Sequence, residues 1–596
     1  MKRALEWSGL AAALALAAML RITPPGVLAD LAIVPDCGQY TIGGWNLAHG
    51  KGPWIYINDL KLPLQYPCGF PLILAAFYAA TGAALHQAVW VVLFFSLLSI
   101  LLSCLFARSV YGGKIGLLAA LLLAAAPSSV GYSKVLISDM ASNAFIVAGL
   151  WAAWGAALSR EPRGWTWAAA GALCGFAATV HMLSGLTVVP LCAACLCGGR
   201  RASSLAWALA GFAAGLAPAL AYNAAAFGNP FRTGYDYWAR WGDGKSNFSI
   251  LYAIKNTAVS ERGDGRGNLG FFTWHFLGRS WPTLFAPYFI TVLPLAAAGA
   301  GAGVLPSRKW AAAPIAALAA AAAACALAFP LAGWVNAPLI AAAAAAAFFP
   351  APRTAGRGGR IFSLIAASFA CAVLLVLFCY SFQMSKFLLP VVPFACVLAA
   401  RGIVLLVSAC KGKGVGPALA RVPAAILLLL TAWGCAVPFV PDAFLRPGAP
   451  WQWCAAPYSQ HIYTHPAFPW RWYEGMVTLD RIAPQDAVLI SAIDGVFVTH
   501  YFVKGTRRAY VPISRDPEYV RQRRLELPAA IEDQAWIAEA ARGGRRIYMD
   551  GYTYLAWGRY RAAMERNFVF VPAASYGGGA LSIFELHPRP SGGSAS

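Results

Sequence analysis

The sequence predicts an α-helical polytopic membrane protein of about thirteen transmembrane helices, with a small extracytoplasmic α/β domain at its C-terminal end. Three observations carry that reading. Of 596 residues, 59% are hydrophobic and 12% charged, with mean hydropathy +0.59. A soluble chain carries about 25% charged residues, so most of this one faces lipid. Apolar runs of roughly 17–25 residues, the length that crosses about 30 Å of hydrocarbon, recur along the first 440 positions. From about residue 475 onward, charged residues become common and short apolar strands alternate with helical patterns.

The expected spans are 5–22, 84–107, 115–131, 139–158, 165–180, 182–198, 204–226, 284–304, 310–328, 334–350, 361–380, 387–408 and 419–440. Met-Lys-Arg before an Ala/Leu run has the form of a signal peptide, but the many later spans favour an uncleaved first helix. Basic residues gather in short loops between spans: Arg108/Lys114, Arg160/Arg163, Arg200/Arg201, Arg308/Lys309, Arg353/Arg357/Arg360 and Lys411/Lys413. Glu161 is the only acid in them. A net charge of +22 laid out in this way is a positive-inside pattern, not a nucleic-acid-binding surface. With Lys2 and Arg3 inside, segments 23–83, 227–283 and 441–596 lie outside. The chain thus divides into a transmembrane module, 1–440, and an outer loop with a small domain, 441–596.

Within the first outer segment, Gly69 to Ala80 is apolar but too short to span, and is expected to lie at the interface. The segment 442–474 is rich in Trp, Tyr, Pro and His, as suits the membrane surface. In the outer domain, strands are expected at Ala487–Ser491, Arg546–Met549, Phe568–Val571 and Leu581–Phe584, and helices at Pro517–Arg542 and Tyr552–Arg566. It carries no Gly-rich phosphate loop and no His/Cys cluster.

Most of the fourteen cysteines fall in or at the ends of apolar runs, where Cys behaves as a small hydrophobe. Cys192, Cys195 and Cys197 have suggestive spacing but lie in a membrane helix with no nearby His, so a metal site is not expected there. Cys37, Cys68 and Cys454 face outside; whether Cys37 and Cys68 form a disulfide is open.

Two carboxylates stand out. Asp36 sits where the first helix should leave the bilayer, followed by Tyr40 and a Gly-rich stretch suited to close approach of a ligand. A charge there is costly unless solvated or used. Asp139 opens the fourth span, after Ser138, on the same outer face. Helix capping explains each singly. Two acids from different helix ends on one face also suit a general base and a ligand for substrate or metal. Among the scarce cations on that face, Lys134, Lys386, Arg232, Arg240 and Lys245 stand out. Lys386 reads either as a snorkelling lysine or as a phosphate contact at the bilayer edge. His181, between two apolar runs, reads as a core or interface histidine.

These residues resemble the integral-membrane GT-C glycosyltransferases, which include protein O-mannosyltransferases and lipid A aminoarabinose transferases. The matching elements are Asp36-Cys-Gly-Gln-Tyr40, Leu47-Ala-His-Gly50, Tyr66-Pro-Cys-Gly-Phe-Pro-Leu72, Ser138-Asp139, Asn223 with Phe227-Gly-Asn-Pro-Phe-Arg-Thr-Gly-Tyr235, and Lys386-Phe-Leu-Leu-Pro390. The resemblance implies a bacterial inner-membrane enzyme moving a hexosyl or pentosyl group, with inversion, from a polyprenyl-phosphate donor to an acceptor hydroxyl outside the cytoplasm. It casts Asp36 as general base and Asp139 as the orienting acid. Lys386, with Lys134 or Arg232, would neutralise the leaving phosphate, and Tyr40, Tyr66 and Tyr235 would line the substrate. The acceptor is a lipid, glycan or protein. Cys68 stands where a second Pro is usual, and Gln65 where the aminoarabinose branch has an acidic metal ligand. A divalent metal therefore stays open, with no ligands assigned. The rival class, a flippase for a lipid-linked sugar, predicts mid-membrane charges and broken helices in matching halves. The sequence shows no internal repeat and suggests no charge buried in mid-span. A third reading, a membrane-anchored binding protein, leaves the acids of the first outer segment without a role.

Overall fold

A computed structural model describes residues 2–22, 35–57, 60–198, 201–238, 356–410 except 381 and 384, 472–491, 498–512 except 504, 534–576 except 557, and 581–589, with isolated positions between. Its helices in the first part of the chain are α1 Lys2–Arg21, α2 Pro35–Ala48, α3 Gly69–Thr81, α4 Val89–Tyr111, α5 Gly113–Ala125, α6 Pro127–Tyr132, α7 Asp139–Leu158, α8 Gly164–Val180, α9 Val188–Cys197, α10 Arg201–Phe227, α11 Gly234–Trp238, α12 Arg357–Cys379 and α13 Val392–Cys410. Five helices among the described residues are long and apolar enough to cross a membrane: α4, α7, α10, α12 and the stretch Lys386–Ser408. The expected spans 284–304, 310–328, 334–350 and 419–440 lie almost wholly outside the described residues.

The polar segment after the first span is more ordered than composition suggests. Pro35, pre-set for a helix N-terminus, starts α2, which runs through Gly38, Gly43 and Gly44. These glycines do not form the expected ligand-hugging loop. A Cβ at Gly43 would meet the Leu64 side chain, and one at Gly44 would meet Leu74 and the Pro71 carbonyl. Their smallness lets the hairpin Trp54–Ile57/Leu60–Pro63 and α3 close on α2. Cys37 and Cys68 are both buried and are not joined to each other in this structure.

Close helix packing follows from small residues. Gly171 and Gly175 on α8 face Gly211 and Gly215 on α10; a Cβ at any of the four would strike a carbonyl of the opposite helix. After α8 the chain reverses at His181, a single extended residue (φ −146°, ψ 122°), and returns through the 3-10 turn Met182–Thr187 and α9. A Cβ at Gly198 would lie 3.4 Å from the Trp167 ring, so the two arms form a hairpin.

Two arginines of the helical part are buried. Arg21, 1% exposed, ends α1. Its guanidinium donates to the carbonyls of Ala17 (3.1 Å), Leu123 (3.3 Å) and Ala124 (2.8 Å) and to the hydroxyls of Ser96 (2.9 Å) and Ser129 (3.1 Å). The Leu123 and Ala124 carbonyls belong to the last turn of α5, where a cation satisfies orphan acceptors and the helix dipole together. Arg401 lies in α13, within the expected span 387–408. It is 5% exposed, donates to Tyr111 Oη at 3.2 Å and stacks over that ring at 4.7 Å. Tyr111 ends α4, so Arg401 lies level with a helix terminus and not at the middle of the bundle. At the same end, Arg357 donates to the last-turn carbonyls of α7 (Ala157, 3.1 Å) and α9 (Cys197, 3.2 Å).

The hairpin strands Trp54–Ile57 and Leu60–Pro63 are β1 and β2, and Val259–Ser260 and Phe382–Gln383 pair in parallel as β3 and β4. The later part of the chain forms a five-stranded sheet from β5 Val488–Ser491, β6 Ala509–Pro512, β7 Ile547–Met549, β8 Phe568–Tyr576 and β9 Leu581–Pro588, in the order β6-β5-β7-β9-β8. β5 is parallel to β6 and β7; β9 is antiparallel to β7 and β8. Strands form at the four positions expected, while β6 is additional. The expected helix 517–542 is described only as Gln534–Arg542, and 552–566 becomes Gly551–Ala556 and Gly558–Asn567. Alternation sorts the sheet's faces. Val488, Ile490, Ile547 and Met549 pack on Ile537 and Met564. Leu489, Tyr510, Tyr548 and Ile583 join Met476 and Leu479 of the helix Trp472–Ile482 in a cluster that extends to Ile55 and Leu62 of the hairpin after α2. Trp54–Ile57 also touches the turn Thr499–Val503 directly.

Candidate active site

The first-turn residues of α2 and α7 lie at one end of the bundle. Asp36 is the second residue of α2, one helical turn before Tyr40. Its side chain lies outside the described residues. Tyr40 is 4% exposed, and its hydroxyl pairs with Ser138 Oγ at 3.1 Å. Its ring lies 5.1 Å from Tyr66 and edge-on to Phe70 at 5.3 Å; Tyr66 in turn meets Tyr235 at 5.7 Å. Four separate sequence elements therefore converge: α2, the segment 66–72, Ser138-Asp139 and the segment 227–235.

The backbone explains how. Tyr222 Oη accepts from the Leu64 amide at 2.7 Å, which pins the hairpin's exit to α10. Gln65 N donates to Gln39 Oε1 at 2.9 Å, and Gln39 Nε2 donates back to Gln65 Oε1 at 3.3 Å. Gly234 seats against the Leu64 and Gln65 carbonyls, and Gly69 against the Thr179 carbonyl and Val180 amide. A side chain at either glycine would push the Tyr66 segment away from its neighbours.

Asp139 is 3% exposed, and its Oδ1 has no hydrogen-bond partner. His181 Nε2 stands 3.8 Å from that oxygen. One turn further on, Ser142 Oγ pairs closely with Ser184 Oγ. His181, read from the sequence as a core or interface histidine, thus lies beside the second carboxylate. The signal available was its place at the seam of two apolar runs, which is where a hairpin must turn.

Lys386 is 7% exposed in the 3-10 turn Ser385–Val391, with Nζ 5.8 Å from the Phe387 ring. Asn143 Nδ2 donates to the Leu389 carbonyl at 3.2 Å, holding this turn against the start of α7. Lys134 is half-buried just after α6. Arg232 is exposed in the turn that follows α10, and the structure does not gather it with the aromatic cluster. Among the described residues no three His, Cys, Asp or Glu side chains converge. Gln65 offers an amide where a hard divalent cation favours a carboxylate.

No family model and no curated protein matches the sequence. Solved structures do. Apo ArnT from Cupriavidus metallidurans aligns over 98% of both chains with 16% identity and a TM-score of 0.54. The same protein bound to undecaprenyl phosphate aligns over 97% of both with 17% identity and a TM-score of 0.50. This chain has the GT-C fold. Agreement over nearly the full length of both chains fixes the GT-C architecture, while 16–17% identity leaves each side chain's role to its own surroundings.

Proposed function

We propose that this protein is a membrane glycosyltransferase. It moves a sugar from a polyprenyl-phosphate-linked donor to an acceptor hydroxyl on the extracytoplasmic face, with inversion at the anomeric carbon. The observation that supports this best is the convergence of Tyr40, Tyr66 and Tyr235, with the Tyr40 hydroxyl on Ser138, the residue before the buried Asp139. Tyrosine rings suit a sugar, which offers hydroxyls at its edge and C–H groups on its faces. The ArnT structure that carries undecaprenyl phosphate, in the same fold, supports a polyprenyl-phosphate partner.

In this mechanism Asp36 takes the proton of the acceptor hydroxyl as its oxygen attacks the anomeric carbon. The bond from that carbon to the phosphate oxygen breaks, and the electron pair leaves with the polyprenyl phosphate. Lys386 neutralises the departing phosphate, with Lys134 on the flank; a placed cation in a water-poor site supplies several kcal/mol. Asp139 orients the sugar or acceptor through its hydroxyls. Arg232, exposed, meets a headgroup only at the rim. The basic loops lie in the cytoplasm, so the thirteen-span module, 1–440, presents its site outward beneath the segment 441–596 in the bacterial inner membrane.

Comparing glycolipids, glycans and glycoproteins of a deletion strain and its parent by mass spectrometry identifies the product. Restoring the gene with Asp36→Asn should cut transfer by about 10²–10⁴-fold, as loss of a general base does, with normal expression. Wild-type-like transfer by that variant sinks the assignment.

A further inference from the structure

We propose that His181 is a positioning residue for Asp139, donating its ring N–H to Asp139 Oδ1 and so fixing the carboxylate that meets the sugar. The inference rests on the glycosyl-transfer reading for its purpose, but its geometry stands apart from it. Asp139 Oδ1 is buried without a hydrogen-bond partner, which a folded protein tolerates only where the group is used or a donor closes in. His181 Nε2 is 3.8 Å from that atom, and its side chain is 13% exposed. A shift of about 1 Å brings the pair to charge-assisted hydrogen-bond distance. Such contacts commonly tighten only once substrate is bound.

The surrounding fold is built to hold this pair. His181 is the single extended residue at which the α8–α9 hairpin reverses, so it leaves the helical row and faces the start of α7. The hairpin and α7 touch at two rungs, His181–Asp139 and Ser184–Ser142, both three residues apart on their own segments. Ser184 N donates to the His181 carbonyl at 2.9 Å and His181 N to the Ala177 carbonyl at 2.9 Å, so the backbone of His181 is held on both sides. Gly69 locks the turn from the other side, against Thr179 and Val180. The turn therefore has little freedom to carry the imidazole away. A histidine here supplies a donor that can sit at fixed range from a carboxylate without the length and mobility of Lys or Arg.

The test uses full-length protein in nanodiscs, labelled with [4-13C]aspartate, and infrared difference spectroscopy. Wild type minus Asp139→Asn isolates the Asp139 carboxylate band. His181→Ala should shift that band, and His181→Gln, which keeps an N–H donor, should shift it less. The His181→Ala minus wild-type spectrum carries the same information if Asp139→Asn does not fold. In the deletion-strain transfer assay, His181→Ala should lower transfer about 10- to 100-fold, and His181→Gln should recover part of the loss. An Asp139 band at the same frequency in His181→Ala and wild type overturns the proposal, whatever happens to transfer. A shifted band in a protein whose wild type transfers no sugar supports the pair and overturns the proposed function instead.

Discussion

Replacing Gly69 by alanine adds one methyl group at the seat between the Tyr66 segment and the end of α8. That Cβ would lie 2.5 Å from the Thr179 carbonyl oxygen and 2.7 Å from the Val180 amide nitrogen. Both are backbone atoms and cannot rotate away. Restoring ordinary contact at about 3.5 Å requires the two segments to part by about 1 Å. Thr179 cannot yield easily, because its Oγ1 donates to the Gly215 carbonyl at 3.0 Å and so ties α8 to α10. The displacement therefore falls on Tyr66 and Phe70, which stack on Tyr40, and on His181, two residues beyond Thr179. A misplacement of about 1 Å costs about 10²-fold in rate, and overpacking costs about 1–3 kcal/mol of stability. Transfer measured in the deletion strain and a thermal melt of the purified protein read the two effects. Gly155→Ala is the control: nothing lies within 4 Å of its Cβ position, so transfer should hold while helix propensity improves. Transfer by Gly69→Ala within twofold of wild type, with an unchanged melt, would refute the claim that this contact sets the geometry of the site.

Arg21→Met keeps an unbranched apolar stem but removes the donors, leaving the Ala124 carbonyl unmet at about 1–3 kcal/mol. The melting temperature in detergent should fall clearly; an unchanged value would mean that water or another donor replaces the guanidinium. Asp550 lies fully buried at the end of β7, and burial raises its pKa above the ordinary carboxylate value against hydrogen bonds from Thr553 and Ser491. Below the unfolded value of about 3.9 both states are protonated and nothing is lost. As pH rises from there through the raised folded value, the unfolded state releases its proton first and stability falls. Asp550→Asn removes this loss, so the variant's melting temperature should gain on wild type from pH 4 upward and then level off. A flat difference across pH 4–8 would show that Asp550 ionises normally.

Much of the layout was legible because it depends on local properties. Span length and hydrophobic run gave α7 its bounds, 139–158, without adjustment. Short apolar runs alternating with helical patterns locate β5, β7, β8 and β9. The Tyr66 segment, Ser138-Asp139 and Tyr235 were picked from motif order, and the structure brings them together through ring contacts. The glycines after Tyr40 misled, because a Gly-rich polar stretch reads as loop until partners are known; Leu64 and Leu74 make them helix-packing residues. β6 escapes a sequence reading because it ends on Pro512, which argues against a strand except at a sheet edge, where β6 lies.

The sequence by itself determined a chain that must cross a membrane, the positions of its apolar helices, and two acids at helix starts. Those features follow from the length and period of hydrophobic runs, which each segment carries within itself. Only the tertiary structure decided that His181 stands by Asp139, that Arg21 closes the end of α5, and that Gly69 seats the Tyr66 segment on α8. Each of those pairs joins residues tens of positions apart. Which of them meet depends on how helices pack, and the small residues that allow close packing fix it only when both faces are in place.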